Sequence, residues 1–194
     1  MRALFRPALL LLFVMTLLTG VVYPLLVTAI AQFTFPEQAN GSLIHQNGKV
    51  VGSALIGQDF SDPKYFWSRL SATTPYPYNS AASSGSNLGP TNEVLLQAVA
   101  ARVQALRQAD PENEQPIPVD LVTASASGLD PHITPAAGFY QLRRVARARN
   151  LEESVVRELV ENHLEGRRFG FLGEPRVNVL RLNLALETLS AGRD

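Results

Sequence analysis

The sequence predicts an α+β fold, with a single N-terminal transmembrane helix followed by one extracytoplasmic α+β domain. Three observations support this prediction. No acidic or basic residue occurs between Arg6 and Glu37, and the pair Asn47-Gly48, typical of a β-hairpin turn, follows soon afterwards. From Thr91 onward, several stretches place apolar residues at helical spacing, so strands and helices are expected in one body.

The composition limits the domain count and the classes of function. The chain has 194 residues, 46% hydrophobic and 18% charged, enough for one membrane segment and one globular body of ordinary size. Its 17 basic and 17 acidic side chains give a formal net charge of zero, so no overall field favours nucleic acid or an anionic surface. Cysteine is absent, which excludes disulfides, thiolate nucleophiles and thiolate metal sites.

The uncharged N-terminal segment is expected to span a membrane. We assign residues 1–7 to a cytoplasmic tail, 8–35 to the transmembrane helix and 36–194 to the extracytoplasmic domain. At about 1.5 Å per residue the stretch exceeds the roughly 30 Å hydrocarbon core, and a helix satisfies its own backbone groups there. Gly20 and Pro24 are expected to kink the span, which indicates partner helices.

A cleaved secretory signal is the alternative interpretation of this segment. Arg2 and Arg6 resemble a basic n-region, and Ala29-Ile30-Ala31 fits a cleavage pattern. The apolar stretch is much longer than the roughly 7–15 residues of a signal h-region, which favours an anchor. In both cases the body is extracytoplasmic, because the arginines precede the span and Glu37 follows it. An anchored chain would be single-pass in the cell (inner) membrane, with a cytoplasmic N-terminus.

The body is expected to begin with a hairpin and a long loop. Asn47-Gly48 predicts a two-residue turn between strands over Leu43–Gln46 and Lys49–Ile56. Residues 61–92 are dense in serine, asparagine, glycine and proline, which excludes long regular elements. Aromatic residues are interleaved in this stretch, so we expect an ordered loop rather than a disordered segment.

Capping signals place the first two helices of the body. Thr91 or Asn92 is expected to cap a helix that ends at Asp110-Pro111. The predicted apolar face of this helix comprises Val94, Leu95, Ala98, Val99, Val103 and Leu106. Thr134 followed by Pro135 is expected to start a second helix, which continues through Arg149.

Four further elements are predicted from local patterns. Val119–Ser125 is rich in β-branched residues and is expected to form a buried strand. Asn150 and Glu153 have the spacing of a capping box for a third helix, which Gly166 is expected to end. The C-terminal residues begin as an alternating strand and are expected to finish as a helix from about Leu182.

The stretch around Gly128 is the strongest candidate for chemistry. Ser125 or Ser127 as nucleophile, with His132 as base and Asp130 as orienting carboxylate, would make a membrane-anchored extracytoplasmic serine hydrolase. Triad members usually converge from separate elements, however, and glycine followed by Asp-Pro is typical of a turn. We therefore interpret the stretch as a shaped connection, with the hydrolase as the alternative.

The histidines do not indicate a metal site. His45, His132 and His163 are scattered, and none has a partner at the spacing of a zinc ligand set. We therefore expect neither a metal ligand set nor catalytic residues in this chain.

Four segments of the chain resemble one known family. They read GSALIGQDFSDPKYFWSR, YNSAASSGSNLGPTN, VDLVTASASGLDPHITPAA and LGEPRVNVLRLNLAL. In this order, behind a single N-terminal span, they are similar to the C subunit (KdpC family) of the Kdp potassium-transporting P-type ATPase. The resemblance covers nearly the whole chain.

The resemblance implies a non-enzymatic accessory subunit of a high-affinity, ATP-driven potassium importer. The implied partners are a channel-like potassium-translocating subunit, a P-type ATPase subunit and a small membrane peptide. Such a complex uses ATP, Mg and K, whereas no cofactor is expected to bind this chain directly. The family is described as a catalytic chaperone that raises the ATP affinity of the pump subunit. Because the charge rule places the body opposite the cytoplasm, we expect this effect to be indirect.

The polar loops are the expected contact surface of the body. They are rich in hydroxyl and amide oxygens, the donors that potassium prefers, and we expect them to hold the outer mouth of the translocating subunit. Asp130 is expected to attract cations near that entrance. The candidate interface residues are Ser83, Ser86, Asn87, Asn92, Ser125, Ser127, Asp130 and His132.

Overall fold

The computed structural model describes residues 2–191 and contains both helices and strands, which confirms the predicted α+β class. The ends of the predicted tail and domain, Met1 and Gly192–Asp194, lie outside the described residues. The chain divides into two compact units, with the boundary between Val51 and Gly52.

The first unit is dominated by an apolar helical segment. It comprises α1 (Arg2–Leu17), a π-helical turn (Leu18–Val22) and α2 (Tyr23–Thr34), followed by the short helix α3 (Pro36–Ala39). Leu4–Thr34 is long and apolar enough to cross a membrane. By length and composition this segment is therefore a candidate membrane anchor.

The π-helical turn lies at the residues predicted to disturb the span. Gly20 is inside the turn, and Pro24 is the second residue of α2. The backbone N–H of Tyr23 reaches back to the carbonyl of Leu18, and the Thr19 hydroxyl donates to the carbonyl of Met15 at 2.7 Å. The π-helical widening accommodates Pro24, which has no N–H to donate. The bend itself stays a prediction.

The hairpin is confirmed. Strands β1 (Leu43–Gln46) and β2 (Lys49–Ser53) pair in a two-stranded sheet. Asn47 and Gly48 have φ angles of +52° and +75°, as a type I′ turn requires. The second strand is shorter than predicted, because it ends at Ser53 and not at Ile56.

The second unit contains the apolar core of the chain. Its elements are α4 (Glu93–Ala109), β3 (His132–Ile133), α5 (Pro135–Ala148), α6 (Glu153–Asn162), β4 (Leu164–Glu165), β5 (Arg176–Asn178) and α7 (Val179–Ala191). The sheet has the antiparallel order β3-β5-β4, in which Val177 is opposite both Ile133 and Leu164. Helix α5 packs on α6, and α6 packs on α7. Fully buried apolar side chains include Phe66, Leu106, Leu121, Val145, Val156, Val160, Leu182 and Leu186.

Both predicted helix caps near Asn92 and Thr134 are confirmed. Asn92 Oδ1 accepts from the backbone N–H of Val94 at 2.9 Å, and Thr134 Oγ1 accepts from that of Ala137 at 3.1 Å. Of the predicted apolar face of α4, however, Leu106 is the fully buried member. Val94 at the other end of α4 is 62% exposed, so much of this face has no cover within the body.

The predicted strand over Val119–Ser125 is wrong. Val119–Leu121 forms a 3₁₀ turn, and the later residues contribute one isolated parallel bridge between Leu70 and Ala124. The turn is stabilised because Asp120 accepts from both the backbone N–H (2.7 Å) and the hydroxyl (3.2 Å) of Thr134. A side chain that satisfies the backbone locally competes with strand pairing.

The predicted capping box at Asn150 is also wrong. Asn150 has φ +53° and lies just beyond the C-terminus of α5, a position where asparagine tolerates the left-handed conformation. Helix α6 starts at Glu153 with Glu152 as its N-cap residue. It ends at Asn162 and not at Gly166, because Leu164–Glu165 pairs with β5 as a strand. Likewise α7 starts at Val179, earlier than the predicted Leu182.

The loop over residues 61–92 is ordered around a buried aromatic pair, Phe66 and Trp67. The amide of Asn183 on α7 accepts from Phe66 N and donates to Phe66 O, both at 2.9 Å. The amide of Gln141 on α5 does the same for Trp67, at 2.7 and 3.1 Å. We call these two side chains the amide clamp. They replace the neighbouring strand that an extended buried segment would otherwise need.

Two guanidinium groups flank the Trp67 ring. The Cζ atoms of Arg102 and Arg144 lie 4.8 and 4.5 Å from the ring centroid, within cation–π range. Arg144 also donates to Gln141 Oε1 at 2.7 Å and to the carbonyl of Pro63. Burial lowers the pKa of Arg144 to about 10, which still leaves the group charged at neutral pH.

Candidate interaction site

An open, charged cleft lies where β3, the start of α5 and β5 meet the loop after Trp67. It has a volume of about 270 Å³ and contains two of the residues predicted from sequence, Asp130 and His132. The lining residues are Arg69, Asp120, Asp130, His132, Ile133, Thr134, Glu174, Pro175 and Arg176. We call this feature the ion-paired cleft.

Asp130 is the most heavily engaged side chain of the ion-paired cleft. Its Oδ2 accepts from Arg69 Nη1 at 3.1 Å, and its Oδ1 accepts from the backbone N–H of His132 at 3.0 Å. Burial acts to raise the pKa of the Asp130 carboxyl, but hydrogen bonds from His132 and the charge of Arg69 outweigh it and lower this pKa. Asp130 is therefore ionised at neutral pH and holds two segments together.

His132 lies between two carboxylates. Its Nδ1 is 3.3 Å from Asp130 Oδ1, and its Nε2 is 3.8 Å from Glu165 Oε2. The same oxygen of Glu165 accepts from Arg176 Nε at 2.9 Å. A chain of close polar contacts thus runs from Arg69 through Asp130, His132 and Glu165 to Arg176.

Arg69 is positioned through its backbone as well as its side chain. The hydroxyl of Tyr78 donates to the carbonyl of Arg69 at 2.5 Å, and burial raises the pKa of Tyr78 to about 12, so the hydroxyl keeps its proton. Arg69 Nη2 also approaches the carbonyl of Ala124 at 3.4 Å. Within the described residues Arg69 Nε is buried without a hydrogen-bond partner.

The two candidate nucleophiles, Ser125 and Ser127, make hydrogen bonds that hold the backbone of the loops. Ser127 Oγ accepts from the N–H of Leu129 at 3.1 Å, and Ser125 is buried, with its N–H donating to the carbonyl of Leu70 at 3.1 Å. Both ring nitrogens of His132 face carboxylates rather than either serine. The geometry therefore supports the predicted shaped connection over an assembled Ser-His-Asp triad.

The remaining candidates divide between the loop cluster and α4. Ser83 Oγ donates to the carbonyl of Ser127 at 3.0 Å, which joins the two serine-rich loops. Asn87 takes a left-handed φ of +53°, as a turn residue does, and Asn92 is the cap of α4. Ser86 lies in the same loop as Asn87. Contacts of any of these residues with a partner stay predictions.

Close packing of two backbone segments explains why residue 128 is a glycine. Gly128 has φ +68°, and a Cβ built there would lie 2.5 Å from Thr73 Cγ2 and 2.7 Å from the carbonyl oxygen of Ser84. A side chain would therefore clash with the neighbouring loop as well as strain the backbone. The loop that contains Ser83 and the loop that contains Ser127 form one packed surface, because Gly128 lets their backbones approach.

Among the charged residues at or beside the ion-paired cleft, the sequence analysis did not single out Arg69 and Arg176, which line it, or Glu165, which contacts His132. Arg69 and Asp130 are 61 residues apart, and no local pattern links them. Glu165 and Arg176 are register partners on β4 and β5, so a correct strand prediction at Leu164–Glu165 would have revealed their pairing. Among the described residues no group of three or more His, Asp or Glu side chains could hold a metal ion.

Comparisons with known proteins identify relatives over nearly the full length. The family model described as "KdpC: K+-transporting ATPase, c chain" matches residues 5–188. A potassium-transporting ATPase KdpC subunit from Methylococcus capsulatus is 68% identical over 185 residues, covering 95% of this chain and 97% of the relative. KdpC subunits from Sorangium cellulosum and Herpetosiphon aurantiacus are 65% and 63% identical, covering 96% and 98% of this chain and 98% and 99% of themselves.

A helix long and apolar enough to span a membrane, followed in the chain by an α+β body, defines a candidate membrane-anchored protein. The match with one family over residues 5–188 identifies the complex. The chain belongs to the KdpC family of K+-transporting ATPase c chains and is thus a subunit of a potassium-transport complex.

Proposed function

We propose that this chain is the accessory and assembly subunit of a high-affinity, ATP-driven potassium importer. Its partners are a channel-like potassium-translocating subunit, a P-type ATPase subunit and a small membrane peptide. The observation that carries this proposal is the match of residues 5–188 to the K+-transporting ATPase c chain family. The ion-paired cleft agrees with an assembly role, because its charged groups are engaged in holding loops rather than poised for catalysis.

The proposed topology has the apolar segment in the cell membrane and the body on the extracytoplasmic side. The asymmetry of charge around the span supports this orientation, since the arginines precede it and Glu37 follows it. The π-helical turn at Leu18–Val22 supports packing of the span against partner helices, which is where irregular backbone is tolerated in a bilayer. Protease added to sealed, right-side-out cells should then cleave the body, and protease added to inverted vesicles should not.

The proposed effect on the pump is that of a catalytic chaperone, which raises the ATP affinity of the ATPase subunit. With the body outside, this effect is a coupling free energy transmitted through the other subunits, not a contact with nucleotide. ATP, Mg and K are used by the complex as a whole, and no residue of this chain is assigned to bind them.

The experiment that tests the chaperone role compares complexes purified with and without this chain. The apparent KM for ATP should rise by about 5- to 150-fold without the chain, the range of ordinary coupling energies, while nucleotide binding to the isolated chain should be undetectable. An unchanged KM would contradict the proposal, and direct nucleotide binding would contradict the indirect route.

The contribution of Asp130 to potassium entry is a narrower proposal. The carboxylate is shared by Arg69 and His132, which supports a role in loop geometry more strongly than attraction of free cations. The apparent potassium affinity of a complex carrying Asp130→Asn, measured at low ionic strength where steering is least screened, separates the two roles. A weaker affinity at low ionic strength that disappears when salt is added supports attraction, and an unchanged affinity excludes it.

A further inference from the structure

A short turn between β4 and β5 presents apolar side chains that no described residue covers. Phe169 is 86% exposed, Phe171 71% and Leu172 50%. We call residues 167–174 the apolar tip. Single exposed apolar residues are ordinary, but a contiguous group of them on a soluble body marks an interaction site.

The backbone of the apolar tip is fixed. Arg168 N donates to the carbonyl of Leu172, and Leu172 N donates to that of Arg168, both at 2.9 Å. Phe169 (φ +54°) and Gly170 (φ +81°) take left-handed conformations that close the turn. Arg167 Nη2 and Glu174 Oε2 pair at 2.7 Å. The phenyl rings are therefore held on a pre-organised backbone, which lowers the entropy cost of binding.

The charge of the apolar tip limits what can cover it. Arg168 is exposed, and its guanidinium makes no ion pair or hydrogen bond within the described residues. A second copy of this chain would bring two such guanidinium groups together, and like charges in an interface are costly. An anionic bilayer surface is recognised by clusters of about four to eight basic residues. The apolar tip has two, and Glu174 already neutralises Arg167.

A protein surface of another subunit suits the apolar tip better than a second copy of this chain or an anionic bilayer surface. Aromatic residues and arginine are enriched in protein interfaces, and anchors of this kind fill pockets that exclude water. We infer that the apolar tip inserts into an apolar socket with a carboxylate rim on another subunit of the same transport complex. This inference rests on the proposed assembly role, and it assigns Arg168 to the rim and the two phenylalanines to the socket.

Photo-crosslinking of the assembled complex tests the inference. A benzoylphenylalanine placed at Phe169 should give a covalent product with one other subunit, identified by mass spectrometry of the excised band. The matched control is the same probe at Val119, which is also apolar and 69% exposed but far from the tip in sequence. The product should be absent or at least about tenfold weaker from that position, the difference between a buried anchor and a neutral contact.

Each other outcome overturns the inference. Crosslinking to lipid alone assigns the apolar tip to the bilayer, a product of doubled mass assigns it to a second copy, and no product leaves it exposed in the complex. If the wild-type chain fails to co-purify with any subunit, the proposed function is contradicted. If the complex forms normally but gives no crosslinked product from Phe169, only this inference is contradicted.

Two variants test how much the phenylalanines contribute to the affinity of the chain for its complex. Phe169→Ala/Phe171→Ala should reduce co-purification by about tenfold or more, and Leu55→Ala, which removes another exposed apolar side chain, should not. Because both sites are exposed, the thermal midpoint of the isolated full chain should be unchanged in both variants. Normal co-purification of the double variant at matched expression contradicts an anchoring role.

Discussion

At the scale of single residues, the amide clamp shows side chains making the hydrogen bonds that the backbone of a neighbouring strand would otherwise make. Gln141 and Asn183 each satisfy both the N–H and the carbonyl of one buried residue in the loop. A buried backbone group left without a partner costs roughly 1–3 kcal/mol. The loop can therefore be buried only while both amides are in place.

Replacing Gln141 by alanine should destabilise the body strongly. Gln141→Ala leaves the N–H and carbonyl of Trp67 unpaired, so we expect the free energy of unfolding to fall by about 2–5 kcal/mol. The measurement is a denaturant titration of the full chain in detergent micelles. Gln108→Ala, on the exposed side of α4, is the matched control and should change stability by less than about 0.5 kcal/mol. Equal effects from the two substitutions would contradict the clamp.

The stability contributed by Asp130 should depend on pH. Because the pKa of this carboxyl is lowered in the folded chain, its contribution is complete above about pH 4, the ordinary aspartate range. The contribution is lost as the pH falls through the lower folded pKa. Asp130→Asn should therefore melt at a lower temperature than wild type at pH 7, and the difference should shrink in melts below pH 4. A difference that stays constant from pH 7 to pH 2.5 argues against the ion pair.

At the scale of elements, local signals predicted the helices better than the strands. The caps at Asn92 and Thr134 are satisfied within three residues, so their patterns were readable from sequence. Val119–Ser125 has strand composition, but Asp120 is bonded by Thr134 and the segment turns instead. Asn150 has the chemistry of a cap at either helix end, and its left-handed φ shows which end it serves. Long-range contacts, such as those of Arg69 with Asp130, had no local signal.

Helix α5 should depend on Thr134 for more than its cap. Thr134→Ala removes the acceptor for Ala137 N and one of the two bonds to Asp120, so we expect a loss of about 1–2 kcal/mol. Thr134→Ser keeps the hydroxyl and should lose much less. Thermal melts of the full chain followed by circular dichroism compare the two variants. A serine variant as unstable as the alanine variant would assign the effect to the lost methyl group and not to the hydrogen bonds.

At the scale of the whole molecule, the body should be stable without the span. Its buried residues begin at Ala54, and the apolar helix from Leu4 to Thr34 contributes none. A protease site inserted at residues 40–42 would allow the cleaved and the uncleaved chain to be compared in the same detergent. The released body should keep its thermal midpoint to within about 2 °C, a change below 1 kcal/mol. A fall of about 10 °C, absent when protease is added to chain lacking the site, would show that the span supports the fold.

The amide clamp also has a consequence for biosynthesis. Phe66 and Trp67 leave the ribosome long before Gln141, and Asn183 follows only in the last helix. Until each amide has been synthesised, the residue that it binds has no permanent partner, so the nascent body cannot close fully before Asn183 is present. A chain truncated between Gln141 and Asn183 would consequently keep the partner of Trp67 but leave the backbone N–H and carbonyl of Phe66 unpaired.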